Sequence, residues 1–159
     1  MIRSLKVLFY QALLLVALFV AGGVAQAHIQ LDSTTRSNKI AQINATIGGA
    51  PNLLLYSGAQ PTNTTSSSPS GLLVNITLPT TWLTAPSSGV VSINGTWSGT
   101  AIGNGTAASF RIYDSGGSCR MQGNVSATSG GGDVQLDNPI IVSGQSILIT
   151  GFTLTEGNP

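Results

Sequence analysis

Hydrophobic positions follow three successive rhythms along the chain. Val7 to Val20 is an apolar run interrupted only by Gln11. From Leu31 to Ile47 the apolar residues recur at helical spacing, Ile40, Ile43 and Ile47 forming a narrow stripe beside the polar Arg36, Lys39 and Gln42. Asp32 or Ser33 can cap the free N–H groups at the start of this helix, and Gly48-Gly49 can end it. A stripe of this width docks on a sheet or on a neighbouring subunit. After Pro51 the period shortens to two and stays there.

Leu53 to Tyr56 reads as a short apolar strand, and the loop from Gly58 to Gly71 is so rich in Pro, Thr and Ser that no regular structure is expected in it. The loop is a candidate contact surface. In the next segment Leu72, Val74, Ile76 and Leu78 fall on one face of a half-buried strand. Val91, Ile93 and Trp97 alternate in the same manner, as do Phe110 and Ile112 with Arg111 and Tyr113. Cys119, Met121, Val125 and Ala127 alternate with Arg120, Gln122, Asn124 and Ser126, and Leu148, Phe152 and Leu154 share a face near the end. Gly-rich turns at Ser98–Gly105, Asp114–Ser118, Ser129–Gly132 and Ser143-Gly144 separate these runs, with no second helix between them. The pattern therefore predicts a mainly β protein, an antiparallel β-sandwich or jelly roll of about seven to nine strands preceded by one short helix. Residues 28–50 form the helical docking segment and residues 51–159 the β domain.

The apolar run at the start has the three parts of a secretory signal: Arg3 and Lys6, the hydrophobic stretch, then Ala25-Gln26-Ala27 as an A-x-A cleavage site. Removal of residues 1–27 would make His28 the first mature residue and place the protein outside the cell. If left uncleaved, the leader is just long enough to serve as a membrane anchor.

Beyond Ala27 the charges are Arg36, Lys39, Arg111 and Arg120 against Asp32, Asp114, Asp133, Asp137 and Glu156, one net negative charge. No basic footprint exists to neutralise phosphates, which argues against a nucleic-acid partner. Only 7% of the chain is charged, and Gly, Ser, Thr and Asn fill the polar positions. That is the uncharged, hydrated surface of many extracellular and virion proteins. Cys119 stands alone, so stability has to come from strand pairing, burial or oligomerisation, and the residue reads as a small buried hydrophobe.

Candidate chemistry is sparse. His28 is the only histidine, so a copper brace built on an N-terminal His lacks its second imidazole, and a Ser-His-Asp arrangement lacks an internal base. A glycosidase would need two opposed carboxylates from Asp114, Asp133, Asp137 and Glu156, each of which sits where a turn is expected. Asp133, Asp137 and Asn138 offer oxygen ligands to calcium but lack the repeated Gly/Asp pattern of calcium solenoids. No cofactor or metal is expected, and the chain reads as non-enzymatic. Sequons at Asn44, Asn63, Asn75, Asn94, Asn104 and Asn124 matter only where the host glycosylates.

Several stretches carry a resemblance: LDSTTRSNKIAQINATIGG, LLLYSGAQP, LLVNITLP with the following Trp82, AASFRIYDSGGSCRMQGNVSATSGGGDVQLDNP and GQSILITGFTLTEGNP. Together they resemble small phage and prophage proteins described as virion structural components, and they cover nearly the whole mature region. The run from Phe110 through Asp137 is the most distinctive part. The resemblance implies a particle component, such as a capsid decoration, a head fibre or a tail-associated piece. It brings no catalytic residues. Members of that group often carry a second cysteine where this chain has PTNTTSSSP.

Two roles are thus expected. One is a surface-display protein that forms homo-oligomers or docks on a larger assembly. The other is a secreted carbohydrate-binding or adhesive module, in which Trp82, Tyr113 and Tyr56 would offer stacking faces to a surface glycan.

Overall fold

Helix α1 (Ser33–Ile47) begins where Asp32 accepts hydrogen bonds from the N–H groups of Thr34 (2.8 Å) and Thr35 (3.1 Å). It ends at Gly48, whose N–H donates to Asn44 O. The computed structural model describes residues 30–157, so the expected leader, its cleavage site and His28 lie outside the described residues. Among the described residues no helix is long and apolar enough to cross a membrane. Ile40 and Ile47 of α1 are buried in the core, with Ile43 partly buried against it. The apolar stripe is therefore spent on this chain's own strands. Polar contacts lock the same face: Ser37 Oγ accepts from Gly89 N, and Lys39 pairs with Glu156.

Among the described residues eleven strands follow: β1 (Asn52–Tyr56), β2 (Leu72–Thr77), β3 (Val90–Ser92), β4 (Trp97–Thr100), β5 (Gly105–Thr106), β6 (Ser109–Tyr113), β7 (Cys119–Ala127), β8 (Val134–Leu136), β9 (Ile140–Ile141), β10 (Ser146–Ile149) and β11 (Thr153–Thr155). The protein is mainly β, with one helix among the described residues. Five strands form a curled sheet in the order β2-β1-β6-β7-β8, and β10–β4, β11–β3 and β5–β9 make two-stranded ladders. The count exceeds the expected seven to nine because several long alternating runs are broken into short pairs. The segment from Gly105 through Ile149, for example, supplies strands to the five-stranded sheet and to two of the ladders.

The core lies on the face of the sheet that carries Leu53 and Leu55 of β1, Val74 and Ile76 of β2, and Phe110 and Ile112 of β6. Trp82 and Trp97 are centred 5.8 Å apart there, and Phe152 lies 5.4 Å from Trp97. Full burial of each such aliphatic or aromatic side chain contributes roughly 1.5–3 kcal/mol.

Three expectations need correction. Leu72 was expected to share a face with Val74, yet it is 37% exposed and Leu73 is buried in its place. A register shift between Leu55 and Tyr56 inserts an extra residue there and turns the strand end over. Leu148 was expected to share a face with Phe152 and Leu154, yet it points outward while Ile147 and Ile149 are buried, because the run breaks after Ile149 into β10 and β11, which pair with different strands. The sheet is also not wholly antiparallel, since β7 and β8 run parallel, Val125 opposite Val134.

That parallel pair is joined by only the six residues 128–133, about half of what such a crossover needs when a helix makes it. Glycine makes the short path feasible. A Cβ on Gly132 would sit 2.8 Å from Ser126 N, and one on Gly130 would sit 2.8 Å from Ser126 Cβ, so this backbone crosses its own strand where no side chain fits. Asp133 completes the crossover by accepting from Asn124 N at 3.0 Å.

Candidate functional site

Strand alternation leaves a second, outer face on the curled sheet. Asn52, Leu54 and Tyr56 of β1 point to it, opposite Tyr113, Arg111 and Ser109 of β6 and beside Asn75 and Thr77 of β2. Part of this face is covered by the loop from Gly58 to Gly71, which folds back over it. Its two ends are zipped by Ser57 N donating to Gly71 O (2.9 Å) and Gly58 N donating to Ser70 O (3.0 Å). Gly71, at φ +68°, leaves room for Ser57 Oγ, which a Cβ would meet at 2.0 Å. Asn63 Oδ1 holds the loop tip by accepting from the N–H of Thr65 and of Ser66.

Arg111 anchors the loop from beneath. Its side chain was expected on the side opposite the core, and it is there, but only 2% exposed because the loop lies on top of it. Its guanidinium makes five hydrogen bonds: two to Gln122 Oε1 (3.2 and 3.0 Å), one to Ser66 O (3.0 Å), one to Asn63 O (3.1 Å) and one to Tyr113 Oη (3.4 Å). Gln122 Nε2 in turn donates to Pro61 O at 2.7 Å, and Ser109 Oγ to Gly58 O at 2.7 Å. Every guanidinium partner is neutral. The buried charge is solvated by carbonyl and hydroxyl dipoles where a carboxylate would ordinarily stand.

Where the loop ends, an open depression of about 380 Å³ remains, lined by Asn52, Leu54, Tyr56, Asn75, Tyr113 and the 114–117 turn. Two of the three sequence-selected aromatics, Tyr56 and Tyr113, meet here. Their hydroxyls and that of Ser68 form a hydrogen-bonded trio, with Ser68 Oγ and Tyr113 Oη 2.9 Å apart. The third, Trp82, is elsewhere. It is 1% exposed, in ring contact with Trp97, and donates Nε1–H to Gly48 O at 3.0 Å. Trp82 thus offers no stacking face; it joins the end of α1 to the core. Tyr56, expected to offer one as well, is only 4% exposed, because the loop and its neighbours cover the ring. Arg111, Gln122, Asn52 and Asn75 were not singled out by sequence. The signal available was the alternation of polar with apolar positions in β2 and β6.

Burial and the hydrogen bond with Tyr113 push the Tyr56 phenol up to about 12. For Tyr113 burial acts upward too, but hydrogen bonds from Ser68, Arg111 and Tyr56 and the nearby guanidinium charge outweigh it and hold this phenol below its usual value. Ordinary tyrosines ionise near pH 10. As pH rises past that point the unfolded chain loses the Tyr56 proton while the native chain keeps it, so this residue's contribution to stability is complete below about pH 10 and lost by about pH 12. Tyr113 behaves oppositely, its contribution being present above about pH 10 and lost as pH falls through its lower native value. A spectrophotometric titration at the phenolate band of the chain from His28 onward, which carries only these two of the three tyrosines, should therefore show one early and one late step. Tyr113→Phe should remove the early step and Tyr56→Phe the late one; a single step near pH 10 would contradict the trio.

The other candidates are engaged or scattered. Asp114 accepts from Ser118 N (2.9 Å) and Arg120 Nε (2.7 Å), which hold its carboxyl below the usual range. Asp133 and Asp137 line a second open depression of about 510 Å³, whereas Asn138 Oδ1 is taken by Ile140 N. Among the described residues no group of three or more His, Cys, Asp or Glu side chains is arranged to hold a metal ion. Cys119 is half-buried, its thiol against Met121 O at 3.4 Å, and burial pushes its pKa up, away from a reactive thiolate.

Fold and site together define a class: a mainly β protein with one capping helix and an open, tyrosine-lined depression beside a pinned loop. Beyond that class, no protein family, curated protein or solved structure matches the chain.

Proposed function

We propose that this chain is a non-enzymatic structural or surface-display protein, its β region a sandwich or jelly roll, antiparallel apart from the β7–β8 pair, of the kind its resemblance to phage virion accessory proteins implies. On this reading the leader exports the chain, which then forms homo-oligomers or docks on a larger assembly. One observation carries it. Along the ribbon that pairs residues 101–106 with 140–145, Ile102, Ile140 and Val142 are 61%, 60% and 58% exposed, with Ile141 buried between the last two. Leu148, 54% exposed, continues the row on β10. Large β-branched and aliphatic side chains presented together mark a contact surface more often than a solvated one.

Light scattering of the purified chain on size exclusion tests the reading. The wild type should elute as an assembly of defined mass, and Ile140→Asp with Val142→Asp should shift it to the monomer while circular dichroism stays unchanged. A strictly monomeric wild type over the accessible concentration range would count against assembly.

A second reading, a secreted carbohydrate-binding or adhesive module, is favoured by the meeting of Tyr56 and Tyr113 at one open depression on the outer sheet face. It loses the stacking faces of Trp82 and Tyr56, both of which are buried.

A further inference from the structure

The depression beside Tyr113 has a chemistry narrow enough to name its ligand. It is lined by side-chain amides and hydroxyls, with one aliphatic and one aromatic surface and no free charge. Asn75 and Ser115 make no side-chain hydrogen bond among the described residues, and Asn52 uses its Oδ1 on the Thr77 hydroxyl (2.9 Å) while its amide nitrogen stays open. Leu54 and the Tyr113 ring are each partly exposed at the same place. The two ionised groups nearby are already neutralised or sealed. Asp114 is held by Arg120 and Ser118, and Arg111 has all its N–H groups engaged beneath the loop.

We infer that this depression, formed by Asn52, Leu54, Asn75, Tyr113 and Ser115, is a binding site for one unit of a neutral oligosaccharide. The inference rests on the carbohydrate-binding reading and adds to it a place and a ligand class. A pyranose has hydroxyls around its rim and C–H groups on its faces. The rim exchanges water for amide and hydroxyl partners at little cost, and the C–H face covers Leu54 and the tyrosine ring. An anionic sugar would shed water without meeting an available cation, so it is disfavoured. The volume of about 380 Å³ lies at the small end of ligand pockets, and its open mouth lets a chain continue in both directions. Arg111 is a positioning residue here: it fixes the Tyr113 hydroxyl and the loop edge that forms one wall.

The test is an NMR titration of the unglycosylated full chain, following backbone amides, with neutral tetrasaccharides of glucose, mannose and N-acetylglucosamine and with a sulfated heparin tetrasaccharide as the charged counterpart. At least one neutral tetrasaccharide should give saturable shifts centred on Asn52, Asn75, Tyr113 and Ser115. Asn75→Ala, at an exposed strand position, should weaken that binding about fivefold, the loss of roughly one hydrogen bond, with the rest of the spectrum unchanged. Saturable shifts confined to another face would overturn the site while leaving the carbohydrate reading standing. Silence with every neutral sugar would overturn both. Binding of heparin alone at these residues would overturn the neutral class.

Discussion

Arg111→Leu is expected to lower the unfolding free energy by about 3 kcal/mol, as part-buried acceptors at Asn63, Ser66 and Gln122 are left without donors. Leucine restores part of the packing, so the loss reflects the missing hydrogen bonds more than a cavity. The effect should be local as well as global. With its anchor gone, the Gly58–Gly71 loop should become the preferred site of limited proteolysis, and the Tyr113 titration should move up towards the ordinary tyrosine value as the guanidinium charge disappears. Arg111→Lys should recover only a fraction of the stability, because an ammonium cannot reach the two sides of the loop and Gln122 at once. Urea denaturation of the three proteins measures the first effect and protease mapping the second. Equal stability of wild type and Arg111→Leu would mean that the guanidinium does not hold the loop.

Trp82→Ala should cost more, about 3–5 kcal/mol, the range for removing a buried aromatic. Trp82 sits against Trp97 and holds the carbonyl of Gly48, so truncation opens the core and releases the end of α1 together. Trp82→Phe separates the two roles. It keeps most of the ring and loses the hydrogen bond to Gly48, a difference of about 1 kcal/mol. The near-ultraviolet dichroism from the two neighbouring indoles should vanish in both variants. If Trp82 were a surface stacking residue, truncation would leave stability unchanged and abolish only ligand binding.

The sequence made the helix legible from end to end, because capping and periodicity are local: Asp32 and Gly48 act on the residues beside them. The mainly β character and the irregular Gly58–Gly71 loop were legible for the same reason. What was not legible depends on contacts distant in sequence. Leu72 and Leu148 took faces opposite to those expected because a register shift and a ladder partner decided them, and neither is encoded in the strand's own alternation. The parallel β7–β8 pair hides in a run of three glycines that reads equally well as an ordinary turn. At the site, Tyr56 and Tyr113 were found by residue type, yet their meeting depends on β1 lying beside β6, more than fifty residues later in the chain. Arg111 looked like a solvated outward residue. Only the loop folding over it, with backbone carbonyls and one glutamine for partners, made it buried.

The most direct measurement of the central claim is amide hydrogen exchange across residues 57–71. The loop reads as coil by composition, yet here it is a fixed wall of the sheet's outer face. The amides of Ser57 and Gly58, which close the loop on Gly71 and Ser70, and that of Ser66, bound to Asn63, should exchange as slowly as neighbouring strand amides of β1 and β6. Exchange of all three at the rate of an unstructured peptide would contradict a pinned loop, and with it the walled depression built upon it.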